Sequence, residues 1–104
     1  MERNEISIHE TRAFVAFLKN KERWITSKEL AKEADIAERT ARAFCLKFTQ
    51  LGLVDLAEVF PAHKYRLSEK ASKRNAAYFG RLKKAREVFG LGAEPTAAPD
   101  RGGN

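Results

Sequence analysis

Two arginines lie three residues apart in a segment whose apolar residues recur with the period of a helix. Ala41, Phe44, Cys45, Phe48 and Leu51 form one apolar stripe of this segment. The opposite side and its flanks carry Arg39, Thr40, Arg42, Ala43, Lys47 and Gln50. An arginine can donate two parallel hydrogen bonds to the O6 and N7 atoms of guanine, and a helix fits the roughly 12 Å wide major groove of DNA. The residues alone also allow a solvated, ion-paired helix face, because Glu38 precedes Arg42 by four positions.

Helix signals divide the first half of the chain into three helices. Ser7 and Glu10 form an S-x-x-E pattern, which predicts a capping box at the start of a helix over about 8–21. A T-x-x-E pattern at Thr26 predicts a second helix at about 27–34, after a short extended piece at 24–25. The third helix is expected from Glu38 to Leu51, and Gly52 is placed to end it in the left-handed conformation.

The periodicity changes after Gly52. The segments 53–60 and 64–67 are predicted to be two short strands, joined by a turn at 61–63 into a β-hairpin. A long helix is expected from Ser68 to about Phe89, and residues 91–104 have the Pro, Gly and small-residue composition of a disordered tail. The predicted fold class is therefore mainly α with a small β-hairpin.

The order of these elements resembles the winged helix-turn-helix family of DNA-binding regulators. The resemblance is carried by LAKEADIAERTARAF at 30–44 and GLVDLAEVFPAHKYRLSEKA at 52–71, and it covers about residues 8–89. Ala31, Ile36, Ala41 and Phe44 match the family's small, turn-anchoring and core positions. Two positions depart from the pattern: Asp35 stands where the family prefers Gly, and Ala41 is smaller than the usual Val or Ile. Asp tolerates the left-handed conformation better than most residues, so we expect the turn to survive.

The resemblance implies a division of the chain and a set of DNA contacts. Residues 1–67 would form the winged helix-turn-helix core, with three helices and a two-stranded wing, and 68–90 a long C-terminal helix. The third helix would enter the major groove with Arg39, Arg42, Ala43 and Gln50, flanked by Thr40 and Lys47. The preceding helix would cross the DNA backbone. The expected phosphate contacts outside the third helix are Ser27, Lys28, His63, Lys64 and Arg66.

The charge distribution agrees with a polyanionic partner. Residues 1–60 hold ten basic and ten acidic side chains, whereas residues 61–104 hold ten basic and four acidic ones. The net charge of +6 in a chain of 104 residues thus lies entirely in the C-terminal part. Uneven basic charge of this kind favours nucleic-acid binding, although a solvated basic helix would show it too.

The C-terminal helix carries a heptad pattern of apolar residues that could pair with a second copy. The predicted dimer seam is Asn75, Tyr78, Leu82, Ala85 and Phe89. The alternative is that this stripe packs on the first helix of the same chain. Dimerisation is the preferred interpretation, because the first three helices and the hairpin are expected to fill most of the core.

The inventory of reactive side chains argues against an enzyme. His9 and His63 have no partner at metal-ligand spacing, and the single cysteine, Cys45, lies on the buried stripe. We therefore expect no catalytic residue, metal or cofactor. The chain has no apolar stretch long enough to cross a membrane and no secretory signal, which predicts a cytoplasmic protein.

The function expected from these observations is a sequence-specific DNA-binding transcriptional regulator, acting as a dimeric repressor on double-stranded DNA. Two alternatives stay open. One is a DNA-architectural, replication or partition accessory protein that uses the same contacts, and the other is a winged-helix protein-interaction module. The sequence does not identify the operator, nor any effector.

Overall fold

A computed structural model describes residues 6–91 of the chain, which form five helices and one two-stranded antiparallel sheet. The elements are α1 (Ile8–Lys19), α2 (Ser27–Ala34), α3 (Glu38–Gln50), β1 (Val54–Ala57), β2 (Lys64–Leu67), α4 (Ala71–Arg74) and α5 (Ala76–Val88). The predicted order of three helices, hairpin and C-terminal helical segment is confirmed. The tail predicted at 91–104 lies, beyond Leu91, outside the described residues.

The two predicted helix caps have different outcomes. At α2 the capping box is complete: the Thr26 hydroxyl accepts from the Glu29 amide at 3.1 Å, and the Glu29 carboxylate accepts from the Thr26 amide at 2.9 Å. At α1 the Ser7 hydroxyl accepts from the Glu10 amide at 3.1 Å. The expected return contact from the Glu10 side chain is wrong, because that carboxylate turns into the core, where it meets Tyr78 and Lys47.

Two residues with positive φ shape the chain around α3. Asp35, at φ 59° and ψ 51°, makes the left-handed turn between α2 and α3 that was expected of it. Gly52, at φ 84°, follows the end of α3, and a Cβ atom there would lie 3.1 Å from the Arg74 Cβ atom. The positive φ favours glycine at this position, and the close approach of Arg74 leaves little room for a side chain.

Aromatic rings from α1, α3 and α5 meet in the same core cluster as the small residues of α3. Ala41, Cys45 and Phe48 are fully buried, which confirms the predicted stripe. The Phe48 ring lies 6.0 Å from both Phe17 and Phe44, within the range of favourable aromatic pairs. Ala41, which is smaller than the residue usual in the family, belongs to the same buried cluster as Phe17 and Phe48.

The hairpin is anchored to the segment between α1 and α2. Val54 pairs with Leu67 and Ala57 with Lys64, so β1 is shorter than the predicted 53–60. Ile25 and Tyr65 exchange two backbone hydrogen bonds of 2.9 and 2.8 Å, which adds a third, one-residue strand and confirms the extended piece at 24–25.

The single long C-terminal helix predicted from Ser68 is wrong. The backbone breaks at Asn75, with φ −150° and ψ 73°, and separates α4 from α5. The Asn75 side chain caps α5 by accepting from the Tyr78 amide at 3.3 Å, and it donates to the Leu51 carbonyl at 3.3 Å. Asn75 thus caps the start of α5 and ties the break to the end of α3, which stabilises it.

The predicted dimer seam is corrected by the packing of α5. Tyr78 and Leu82 are 4% and 0% exposed and belong to the same buried cluster as α1, α2 and α3. Asn75 and Ala85 are half-buried, and Phe89 is 39% exposed. The stripe covers α1, where Phe79 meets Phe14 edge-on at 5.6 Å. Packing of α5 on α1 within one chain avoids the entropy cost of associating with a second copy. This favours Tyr78 and Leu82 as core residues over a dimer seam.

Candidate nucleic-acid interface

The outward face of α3 presents two arginines to solvent. The stripe of Ala41, Cys45 and Phe48 holds one side of the helix in the core. On the other side Arg39, Arg42, Ala43, Leu46 and Gln50 are exposed, and Thr40 is half-buried. Their spacing places the exposed residues on adjoining turns of one surface. Within residues 6–91 neither guanidinium takes part in an ion pair, so the Glu38–Arg42 pair that the sequence allowed is not formed.

The first turn of α3 offers uncapped backbone amides beside this face, and the first turn of α2 adds two polar side chains. Ser27 is half-buried and Lys28 exposed at the start of α2. Ala37 precedes α3 and provides no side-chain acceptor for its first amides. Free amides and the helix dipole together favour an anion such as a phosphate.

Among residues 6–91, Lys64 of the wing forms no ion pair, whereas Arg66 is held by neighbouring side chains. His63 and Lys64 are exposed at the start of β2. Arg66 is half-buried: its guanidinium lies 4.3 Å from the centre of the Trp24 ring and 3.9 Å from the Asp55 carboxylate. Asp55 also pairs with Arg74 at 3.3 Å. Lys64 is therefore better placed than Arg66 to reach a ligand outside the protein.

Lys47 of α3 contacts residues of α1 and α5. Its ammonium lies 2.9 Å from the Glu10 carboxylate and 5.6 Å from the centre of the Tyr78 ring. The Tyr78 hydroxyl donates to the same carboxylate. Burial and this hydrogen bond raise the pKa of Tyr78 well above its usual range, so the hydroxyl remains a donor. Sequence reasoning missed Glu10 in this role, although its spacing of four and seven residues from Phe14 and Phe17 puts it on the buried face of α1.

Exposed apolar residues also occur on this part of the molecule. Leu46 is 58% exposed in the middle of the α3 face, and Phe60 is 94% exposed at the tip of the wing, next to Val59 at 43%. The signal for this exposed tip in the sequence is the apolar run of Val59, Phe60, Pro61 and Ala62 between the two strands.

The reactive groups provide little for covalent or metal chemistry. Cys45 is fully buried, and burial raises the pKa of its thiol to about 12, which leaves it a protonated core residue at neutral pH. In the part of the chain that the structure describes, no three His, Cys, Asp or Glu side chains come together as metal ligands. No helix over the same residues is long and apolar enough to span a membrane.

Comparisons with known proteins identify the fold. No protein-family model matches the sequence, and no curated protein matches it either. Among solved structures, the chain is similar to the MarR family transcriptional regulator SPO1453 from Silicibacter pomeroyi, with a TM-score of 0.55 at 16% identity over 83% of this chain and 59% of that one. It is also similar to YusO from Bacillus subtilis, with a TM-score of 0.53 at 11% identity over 83% of this chain and 63% of that one.

A third neighbour is MepR, a transcription regulator of the Staphylococcus aureus multidrug efflux pump MepA. Its TM-score is 0.53 at 10% identity, over 88% of this chain and 69% of that one. The chain spans about three fifths of the length of SPO1453 and YusO. At such low identity the likeness establishes the fold, which is that of a winged helix-turn-helix domain.

Proposed function

We propose that this protein is a sequence-specific DNA-binding transcriptional regulator whose α3 enters the major groove. The observation that carries the proposal is the pair Arg39 and Arg42, exposed and without an ion pair among the described residues, opposite the buried stripe of α3. Exposed guanidiniums on one helix face are suited to guanine edges, because each can donate two parallel hydrogen bonds to O6 and N7. The winged-helix fold supports this role, since SPO1453 and MepR are both transcription regulators.

Each proposed contact has a distinct task. Arg39, Arg42, Ala43 and Gln50 would read base edges, and Thr40 would contact a phosphate or a thymine methyl group. Ser27, Lys28, His63 and Lys64 would position the backbone of the duplex. Arg66, stacked on Trp24, would support the wing more than it neutralises phosphate.

Repression by occlusion of a promoter is the mode of action we propose, because it requires no further domain. A two-fold dimer on a palindromic site is part of the same proposal. Since Tyr78 and Leu82 are buried in the chain's own core, such a dimer would use the exposed end of α5, where Val88 is 73% and Phe89 39% exposed.

Selection of binding sites from random duplexes with the purified protein tests the function. We expect an enriched motif with guanines opposite the two arginines, and we expect the Arg39→Ala/Arg42→Ala protein to enrich no motif. Binding that is sensitive to salt but selects no sequence would support an architectural role instead.

A second candidate function is a protein-interaction module. The observation in its favour is the exposure of Leu46 and Phe60, because apolar side chains in such positions often mark protein contacts. A protein that binds no duplex at low salt, where electrostatic binding is strongest, would favour this second function.

A further inference from the structure

A buried carboxylate on α1 contacts both α5 and α3, the helix that we propose enters the major groove. Glu10 on α1 is 6% exposed. Its Oε2 atom accepts a hydrogen bond from the Tyr78 hydroxyl of α5 and lies 2.9 Å from the Lys47 ammonium of α3. Side chains from α3 and α5 therefore both contact one carboxylate oxygen of α1.

The charge balance of this cluster constrains Lys47. A carboxylate in a protein core is costly unless it is paired and hydrogen-bonded. Lys47 is the residue that forms an ion pair with Glu10 among residues 6–91, although its own side chain is 46% exposed. Moving the ammonium away to a phosphate would leave Glu10 charged and unpaired in the core.

The cluster also adds a directional contact in the second half of α3, whose buried stripe is apolar. Burial of Ala41, Cys45 and Phe48 is not directional and fixes the rotation of α3 about its axis only through shape. An ion pair and a hydrogen bond have preferred distances and angles. Lys47 lies four and five residues after Ala43 and Arg42, so its position is coupled to theirs through the rigid helix.

We propose that Glu10 and Tyr78 are positioning residues for DNA recognition, which hold Lys47 and thereby set the rotation of α3. Lys47 then acts through the orientation of the helix and does not neutralise a phosphate. This inference rests on the proposed function. The alternative is that Lys47 is a phosphate ligand. The two interpretations predict opposite changes in DNA affinity when the charge of Glu10 is removed. If Glu10 competes with phosphate for Lys47, removing its charge tightens DNA binding; if Glu10 positions α3, removing it weakens binding.

The test uses Glu10→Gln, Tyr78→Phe and Lys47→Met, with Lys64→Met as a control for a lysine that is free to meet phosphate. Affinity for the selected duplex is measured by fluorescence anisotropy over a range of salt concentrations, well below the unfolding midpoint of every variant. We expect Glu10→Gln, Tyr78→Phe and Lys47→Met to weaken binding roughly three- to thirtyfold with the salt slope unchanged. Lys64→Met should lower that slope by about one.

A double variant keeps the test decisive if Lys47→Met alone does not fold because Glu10 is left unpaired. Glu10→Gln/Lys47→Met removes both charges, and we expect it to bind no worse than Glu10→Gln, because both changes release the same tether.

Three results would overturn the inference. Tighter DNA binding by Glu10→Gln would make Lys47 a phosphate ligand. A salt slope lowered by about one in Lys47→Met would do the same. If Lys47→Met does not fold, the slope of the double variant is compared with that of Glu10→Gln instead. Unchanged affinity in both Glu10→Gln and Tyr78→Phe would make the cluster a matter of stability only. The parent protein's own titration separates the two proposals: a parent that binds no duplex overturns the proposed function and this inference with it.

Discussion

The guanidinium of Arg66 stacks on the ring of Trp24, with 4.3 Å between the guanidinium carbon and the ring centre. Arg66 lies on β2, and Trp24 precedes the residue that bridges to that strand. The stack and the nearby Asp55 carboxylate hold Arg66 against the base of the wing. Lys64, two residues earlier on the same face of β2, is exposed. The two cations of this strand therefore have different environments.

We expect Lys64→Ala and Arg66→Ala to differ in the salt dependence of DNA binding. Loss of a phosphate contact at Lys64 should weaken binding to all sequences alike and lower the salt slope by about one. Arg66→Ala should leave the slope near that of the parent and lower thermal stability, since its contacts are within the protein. The measurement is affinity against salt concentration together with thermal unfolding. Equal slope changes for both variants would contradict this assignment.

Arg42→Ala should cost roughly 1–3 kcal/mol of binding free energy on the preferred site and relax specificity at one base position. The physical reason is the loss of a bidentate donor on the exposed face of α3. Affinities for the selected site and its single-base variants check the result, with Lys84→Ala, an exposed charge on α5, as the matched control. An Arg42→Ala protein that binds every duplex as the parent does would remove this arginine from the interface.

Substitutions at Leu82 and Val88 of α5 should differ in their effect on the free energy of unfolding. Leu82 is fully buried, so Leu82→Ala should lower the free energy of unfolding by about 2–5 kcal/mol, and Leu82→Glu should prevent folding. Val88 is 73% exposed, and Val88→Ala should change stability by at most about 0.5 kcal/mol. Denaturant titrations measure both effects.

Sedimentation of the parent and Val88→Glu proteins at micromolar concentration tests the proposed dimer. A parent dimer that Val88→Glu dissociates into folded monomers would place the interface at the end of α5. A folded Leu82→Glu monomer would instead restore the heptad seam as the interface.

Stability should fall in alkaline solution because two buried acids resist ionisation. Burial raises the pKa of the Cys45 thiol from 9.0 to about 12, and the pKa of Tyr78 is raised as well. Above about pH 9 the unfolded chain releases the thiol proton while the folded chain retains it, so the free energy of unfolding falls as pH rises. Denaturant titrations between pH 8 and pH 10 should show a shallower loss for Cys45→Ala than for the parent. Equal losses in the two proteins would mean that the thiol ionises freely in the fold.

Local signals in the sequence were enough to predict most elements of this fold. The Thr26–Glu29 capping box, the left-handed Asp35 and Gly52, and the stripe on α3 are confirmed because each depends on neighbours within a few residues. The exposed face of α3 follows from that stripe, since helical geometry places Arg39 and Arg42 on the opposite side. The same sequence pattern, followed by a hairpin, predicted the winged-helix fold that the solved structures share.

Only the tertiary structure decided which partners distant residues have. Glu10 looked like half of a capping box, but a buried hydroxyl and an ammonium from helices far along the chain attract its carboxylate more strongly than a local amide. The heptad of α5 looked like a dimer seam, but Tyr78 and Leu82 meet α1 and the rest of the chain's own core first. The sequence by itself determined periodicity and caps, because these depend on local backbone geometry. Charged side chains and apolar stripes can pair with several partners that are distant in the sequence. Which partner each one meets is therefore determined only by the tertiary structure.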